Sequence, residues 1–188
     1  MGKCPACGEW SSFVEEVVRK DATSRPDDTR SFTGQKSEPL TLREINAEEE
    51  PRIDMNDDEL NRVLGGGLVP ASVVLIGGEP GIGKSTLVLQ TVLKLKGLST
   101  LYVSGEESAR QLKLRAERIG LENDDCRIVC ETNMDEIFRH VKNVSPRLLI
   151  VDSIQTVYSD ALESAPGSIS QVRECASLLL KFAKQSGT

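Results

Sequence analysis

The residues with the clearest capacity for chemistry form a glycine-rich stretch, GEPGIGKST, at positions 78–86. It fits the pattern G-x-x-x-x-G-K-[ST] at every position and lies between an apolar segment and a helix-forming one. Phosphate oxygens need several converging backbone N–H donors, and glycines let a loop wrap that closely while the following helix presents its positive end. The stretch predicts a nucleotide-binding site formed by Gly78, Glu79, Pro80, Gly81, Ile82, Gly83, Lys84, Ser85 and Thr86.

Within this loop, Lys84 is expected to bridge the β- and γ-phosphates of ATP, and the Ser85 hydroxyl is expected to bind Mg²⁺. The partner carboxylate is predicted to be Asp152, which ends the apolar run RLLIVD. A buried parallel strand that ends in an aspartate places that carboxylate at the carboxyl edge of the sheet, beside a phosphate loop. Asp152 is expected to hold a water molecule of the Mg²⁺ shell. Ser85 and Asp152 are therefore the candidate Mg²⁺ residues.

Hydrolysis also needs a group that positions and deprotonates water. The segment LYVSGEES supplies Glu106 and Glu107 just past an apolar strand, whereas Asp152 is followed by Ser153 and Ile154. Glu106 is the first candidate for the catalytic base and Glu107 the second, with Lys84 as the third catalytic residue. The alternative is that both glutamates merely favour the first turn of a helix, where acidic residues are common.

The first ten residues contain half of a metal site. Cys4 and Cys7 are separated by two residues and followed by a glycine, which is typical of a knuckle that points two thiolates at one ion. Structural zinc is bound by four ligands, so this pair is incomplete by itself. Cys4 and Cys7 are predicted to be a zinc half site.

The elements that must position these residues alternate between strand and helix. Four strands are predicted, in SVVLIG, STLYVSG, CRIVC and RLLIVDS, each followed by a helix-forming segment. This alternation predicts an α/β fold with a parallel sheet covered by helices on both faces. The predicted organisation is a partial zinc-finger module at 1–20, a polar linker at 21–50 and an ATPase core at 51–188 whose sheet ends with an unfinished edge.

Composition narrows the function classes. The 188 residues carry a net charge of −6, but the stretch 44–59 alone carries −7, from eight acidic residues and Arg52, so the rest of the chain sums to about +1. The acidity is therefore local, and charge neither favours nor excludes a nucleic-acid partner. No apolar run reaches the roughly 18 residues of a membrane-spanning helix. Five cysteines, an odd number, argue against a disulfide scaffold. A cytoplasmic location without a membrane partner is expected.

Five segments together carry a resemblance over nearly the whole chain: CPACGEW, LNRVLGGGLVPASVVLIGGEPGIGKSTLVLQ, YVSGEES, LLIVDSIQTVYSD and SAPGSISQVREC. The chain resembles the bacterial RadA (Sms) family of RecA- and DnaB-like ATPases. The resemblance implies a RecA-like fold and a DNA-dependent ATPase that processes recombination intermediates and promotes branch migration of RecA-mediated strand exchange. It also implies single-stranded and branched DNA, a RecA-type recombinase and a homo-hexameric ring as partners.

Carried over by residue, the resemblance places residues 78–85 in the Walker A motif, Asp152 in Walker B and Glu106 at the catalytic glutamate. Gln155 and Thr156 fall in the segment after Walker B, where the nucleotide state could be relayed to DNA-contacting loops. Family members begin with two Cys-x-x-Cys pairs and carry a downstream basic motif and a Lon-protease-like domain. This chain therefore resembles a truncated form, expected to hold zinc poorly and to hydrolyse ATP weakly.

Two other functions stay open from the sequence. One is a nucleotide-dependent assembly switch of the KaiC type that acts on protein partners rather than on DNA. The other is a metabolic P-loop kinase, which would need an arginine-rich lid, whereas the segment YSDALESAPGSIS contains neither arginine nor lysine. Binding to single-stranded DNA would distinguish the leading function from both.

Overall fold

A computed structural model describes residues 39, 41, 43–44 and 52–188. The predicted zinc-finger module at 1–20, with Cys4 and Cys7, and most of the linker at 21–50 lie outside these residues. The described elements are α1 (Asp58–Val63), α2 (Lys84–Lys94), β1 (Thr100–Ser104), α3 (Ala109–Ile119), β2 (Cys126–Cys130), α4 (Met134–Val144), β3 (Leu148–Asp152) and α5 (Ile169–Ser186).

The three strands form a parallel sheet in the order β2-β1-β3. The last residue of β1, Ser104, is in register with Cys130 of β2 and with Asp152 of β3. All three carboxyl ends therefore meet at one edge of the sheet, which is where ligands bind in open α/β folds. The predicted Asp152 lies at this edge.

Helices cover the sheet on both faces. The side chains of β1 alternate, so that Tyr102 packs in one apolar cluster with Leu89 of α2 and Leu112 of α3. Leu101 and Val103 pack in the other cluster, together with residues of α4 and α5 such as Ile137 and Phe182. Every residue of β1 is buried, as expected for the central strand of a parallel sheet. The α/β prediction with helices on both faces is confirmed.

One predicted strand is absent. The segment SVVLIG at 72–77 is not a strand in the structure, and its apolar side chains are exposed, including 81% of Leu75 and 50% of Val73. A strand exists only where its backbone groups pair with a neighbour, and no described strand pairs with this segment. The described part of the sheet consequently has three strands instead of the predicted four.

The helices that flank the site begin at specific residues. Gly83 adopts a left-handed conformation (φ 102°) immediately before α2, which only glycine adopts readily, so the turn from loop to helix depends on it. Ser108 begins α3 with a reciprocal capping box to Gln111. These two turns set the positions of Lys84 and of the Glu106–Glu107 pair.

The three cysteines among the described residues differ in their exposure to solvent. Cys175 is buried and Cys126 half-buried, whereas Cys130 is exposed at the end of the outer strand β2. Within the described ranges, no helix combines the length and apolarity needed to cross a bilayer.

Candidate nucleotide-binding site

The loop before α2 is held together by its own lysine. The Nζ atom of Lys84 donates hydrogen bonds to the carbonyl oxygens of Gly78 and Glu79, both at 2.9 Å. Lys84 is also the first residue of α2, so its ammonium group lies over the loop that the helix N-terminus faces. An ammonium group beside free helix N–H donors favours an anion such as phosphate. The ammonium group of Lys84 thus lies at the loop at 78–86, and its contact with phosphate stays a prediction.

The two candidate Mg²⁺ residues are in direct contact. The Oγ atom of Ser85 donates a hydrogen bond of 3.0 Å to Oδ1 of Asp152, although 67 positions separate them in the chain. Mg²⁺ prefers oxygen ligands and is commonly bound by one or two protein groups together with water and substrate phosphates. A hydroxyl and a carboxylate in contact beside the phosphate loop fit that ion, and Ser85 and Asp152 are the residues that would hold it.

A third residue at this point was not predicted from the sequence. Tyr102 is fully buried in β1, and its hydroxyl donates a hydrogen bond of 2.6 Å to Oδ2 of Asp152. Burial of the phenol, together with the hydrogen bond to Asp152, raises the pKa of Tyr102 far above its usual range. The phenol therefore stays protonated and remains a hydrogen-bond donor to Asp152.

The two candidate catalytic glutamates point to different partners. Glu106 is exposed, and its Oε1 atom accepts a hydrogen bond of 2.8 Å from the hydroxyl of Ser153, the residue after Asp152. Glu107 instead forms an ion pair of 2.9 Å with Arg115 of α3. Glu106 therefore lies beside the end of β3 that carries Asp152, whereas the carboxylate of Glu107 is engaged with the neighbouring helix.

The segment after β3 contacts the turn that carries Glu106. Thr156 donates a hydrogen bond of 2.8 Å to the carbonyl oxygen of Ser153, while Gln155 is exposed. The N–H of Gly105 donates to the carbonyl oxygen of Asp152 at 2.8 Å. The turn before Glu106 is thus bonded to the end of β3 at Asp152, and the segment that follows β3 is closed by the Thr156 bond.

Gly105 is required by this close approach. A Cβ atom added at Gly105 would lie only 2.7 Å from Cβ of Thr156, a contact that rotation of the threonine side chain does not relieve. We expect Gly105→Ala to reduce the free energy of unfolding by about 1–3 kcal/mol, because one of the two segments must move. Urea unfolding followed by circular dichroism measures this change.

The matched control is Gly77→Ala, since no atom lies within 4 Å of a Cβ at that position. Gly77→Ala should change the free energy of unfolding by less than about 0.5 kcal/mol. Equal stabilities of the two variants would contradict the close packing of Gly105 against Thr156.

A cleft of about 290 Å³ lies beside Glu106, but its chemistry does not suit phosphate. Its lining combines three glutamates with Cys130 and includes no residue of the loop at 78–86; the lining residues are Ser104, Gly105, Glu106, Glu107, Ser108, Cys130, Glu131 and Thr132. Hydrogen bonds from the backbone N–H groups of Asn133 and Thr132 lower the pKa of Glu131, so this carboxylate is ionised near neutral pH. Anionic phosphates are repelled by such a lining, and the loop at 78–86 is the better phosphate site.

The structure brings together Lys84, Ser85, Asp152 and, through Ser153, Glu106. It adds Tyr102, Ser153 and Gly105, which sequence reasoning missed. Tyr102 could have been identified from its position in β1, because it lies two residues before Ser104, which is in register with Asp152. That signal is readable only once the strand order is known. Cys4 and Cys7 lie outside the described residues.

The parallel sheet, the glycine-rich loop before α2 and the contact between Ser85 and Asp152 define a P-loop ATPase core of the RecA-like class. A family model described as "AAA domain" matches residues 38–187, and the chain belongs to this family.

Its curated relatives are more specific. The chain is 50% identical over 190 residues to "DNA repair protein RadA" of Halalkalibacterium halodurans and 51% identical over 191 residues to the protein of that name in Bacillus subtilis. Both alignments cover 100% of this chain and 41% of the relative. The RadA of Pseudomonas aeruginosa is 46% identical over 188 residues. The chain thus spans about two fifths of the length of these relatives.

Among solved structures, the crystal structure of the RadB recombinase superposes with a TM-score of 0.49 at 27% identity. The match covers 71% of this chain and 66% of the other.

Proposed function

We propose that this chain is the nucleotide-binding core of a Mg²⁺-dependent ATPase that takes part in DNA repair and recombination. The observation that carries the ATPase part is the hydrogen bond between Ser85 and Asp152, which brings the end of the phosphate loop to the end of β3. Membership of the AAA domain family supports the same part. The DNA part is supported by identity of 46–51% to proteins named for DNA repair.

Each residue has a proposed role. The backbone N–H groups of the loop at 78–86 and the Lys84 ammonium bind the phosphates, and release of Lys84 from Gly78 and Glu79 lets it contact the nucleotide. Ser85 and Asp152 would hold Mg²⁺, which would neutralise phosphate charge when bound. Glu106 accepts a proton from the attacking water.

The proposed role of Ser153 is to orient Glu106. Its hydroxyl is bonded to one carboxylate oxygen of Glu106 at 2.8 Å, which leaves the other oxygen available to a water molecule. Glu107 contributes to the position of α3 through Arg115 and not to proton transfer. The arrangement favours Glu106 over Glu107 as the general base.

The proposal extends to the partners of the whole protein. The proposed partners are single-stranded and branched DNA, a RecA-type recombinase and further copies of the same chain in a homo-hexameric ring. The proposed reaction is branch migration of DNA, and the proposed location is the cytoplasm. Support comes from the resemblance to RadA and from the similarity to proteins of that name. Zinc binding by Cys4 and Cys7 stays a prediction, because both residues lie outside the described ranges.

The DNA part is tested by fluorescence anisotropy of a labelled single-stranded oligonucleotide titrated with the chain. We expect the affinity to differ about fivefold or more between the nucleotide-free, ADP and ATP states, because a coupled site changes affinity by amounts of this order. Raising the salt concentration should weaken binding. The absence of binding in all three states would contradict the DNA function and favour an assembly switch that acts on proteins.

A further inference from the structure

Two hydroxyl groups hold the two oxygens of one carboxylate. Ser85 donates to Oδ1 of Asp152 at 3.0 Å, and Tyr102 donates to Oδ2 of the same residue at 2.6 Å. Ser85 belongs to the phosphate loop, whereas Tyr102 lies inside the sheet on β1. The carboxylate therefore has one oxygen directed towards the nucleotide site and the other bonded to the core.

The Tyr102 bond is fixed by packing. The side chain is completely buried, and its ring packs in the cluster that includes Leu89, Leu112 and Leu148. A ring enclosed in this way has few rotamers, so its hydroxyl oxygen stays in one position. An aspartate carboxylate rotates broadly about its own χ2 angle unless a partner holds it. The phenol hydroxyl supplies that constraint from beneath the site.

We propose that Tyr102 is a positioning residue for the metal: by holding Oδ2 of Asp152, it keeps Oδ1 directed at Ser85 and Mg²⁺. This inference rests on the proposed nucleotide function and deepens it. Mg²⁺ demands near-ideal octahedral geometry, so it is sensitive to the orientation of the groups around it. Residues that orient metal-binding groups typically change metal affinity 10- to 100-fold when they are removed.

A purely structural role for the same bond predicts something different. If the hydroxyl served only to satisfy a buried polar atom, Tyr102→Phe would change the stability of the chain and leave its Mg²⁺ dependence intact. If the hydroxyl orients Asp152, the variant needs more Mg²⁺ but binds metal-free nucleotide as before. The phenylalanine ring preserves the packing in both cases, so the variant is expected to fold.

The test is a Mg²⁺ titration of the chain mixed with a fluorescent ADP analogue, with the same nucleotide titration in EDTA. We expect Tyr102→Phe to raise the Mg²⁺ concentration at half-maximal signal about tenfold, with nucleotide affinity in EDTA changed less than about twofold. Tyr158→Phe is the matched control, because Tyr158 is the other of the two tyrosines in the sequence. Among the described residues, Tyr158 forms hydrogen bonds through its backbone and none through its hydroxyl. This control should match the wild type.

A second experiment, in a chain that carries Asp152→Asn, distinguishes an effect on metal binding from general damage to the structure. In an Asp152→Asn chain, Tyr102→Phe should have no further effect on the Mg²⁺ titration, since the carboxylate that it orients is gone. Four outcomes would overturn the proposal. The first two are a half-maximal Mg²⁺ concentration of Tyr102→Phe within about twofold of the wild type, and an equal loss of nucleotide affinity with Mg²⁺ and in EDTA. The others are a shift in Tyr158→Phe as large as that in Tyr102→Phe, and an effect of Tyr102→Phe that is unchanged in the Asp152→Asn chain. A wild-type chain without any Mg²⁺ dependence would overturn the proposed nucleotide function itself, and this inference with it.

Discussion

Replacing Lys84 with alanine is expected to lower the affinity of the chain for ATP about 100-fold. The Nζ atom has two carbonyl partners in the loop, Gly78 and Glu79 at 2.9 Å, and is expected to exchange them for phosphate oxygens when nucleotide binds. Hydrogen bonds to charged groups contribute about 1.5–3 kcal/mol each, so two amount to about 3–6 kcal/mol. We expect a loss of about 3 kcal/mol, at the lower end of this range, because Lys84 must give up its two carbonyl bonds to contact the nucleotide. At about 1.4 kcal/mol per factor of ten, this corresponds to about two orders of magnitude. Equilibrium titration with a fluorescent ATP analogue measures the change.

The control for this substitution is Lys96→Ala. Lys96 is exposed and lies just beyond the opposite end of α2, so the same charge is removed from the same helix but away from the loop. Its ATP affinity should stay within about twofold of the wild type, because exposed charges beyond a Debye length of about 10 Å are screened. Unchanged affinity in Lys84→Ala, or equal losses in both variants, would contradict the assignment of the phosphate site.

Replacing Glu106 with glutamine is expected to slow ATP hydrolysis about 100-fold or more, with ATP affinity changed less than about twofold. Glutamine keeps the shape of the side chain and can still accept the hydrogen bond from Ser153, but it cannot take a proton from water. General-base catalysis typically contributes 10²- to 10⁴-fold to a rate, which sets the expected loss at about this size. Single-turnover hydrolysis, with the chain in excess over radiolabelled ATP, resolves even a slow reaction.

Glu107→Gln is the matched control one residue further along the chain. This change breaks the half-buried ion pair with Arg115 and is expected to cost up to about 1 kcal/mol of stability. Hydrolysis should stay within about twofold of the wild type. A large loss of hydrolysis in Glu107→Gln together with a small one in Glu106→Gln would reverse the assignment of the base.

The candidate site residues could be proposed from the sequence more directly than the strands of the sheet around them. The loop at 78–86 and Asp152 could be read directly, because phosphate binding needs particular residue types at fixed spacing. The sequence predicts their contact from a general rule, that parallel strands end at one edge of a sheet, although the segment before the loop is not a strand in the structure. The helix caps at Ser108 and Ser168 lie where polar residues precede the apolar periodicity of α3 and α5.

Tertiary contacts could not be read in the same way. Tyr102 alternates with Leu101 and Val103 in the sequence as any core residue would, and its bond to Asp152 depends on strand order. The apolar run at 72–77 has the composition of a strand, but pairing is a property of two segments, and no described strand pairs with it. The need for glycine at position 105 arises from Thr156, 51 positions later in the chain.

The direct test of the central claim is a crystal structure of the chain with Mg²⁺ and ADP. We expect the backbone N–H groups of residues 78–86 to surround the β-phosphate and Lys84 to move from the carbonyl oxygens of Gly78 and Glu79 to the nucleotide. We also expect Mg²⁺ to lie between the Ser85 hydroxyl, the Asp152 carboxylate and the phosphate. Nucleotide bound elsewhere, or a metal held by other carboxylates such as Glu107 and Glu131, would contradict it.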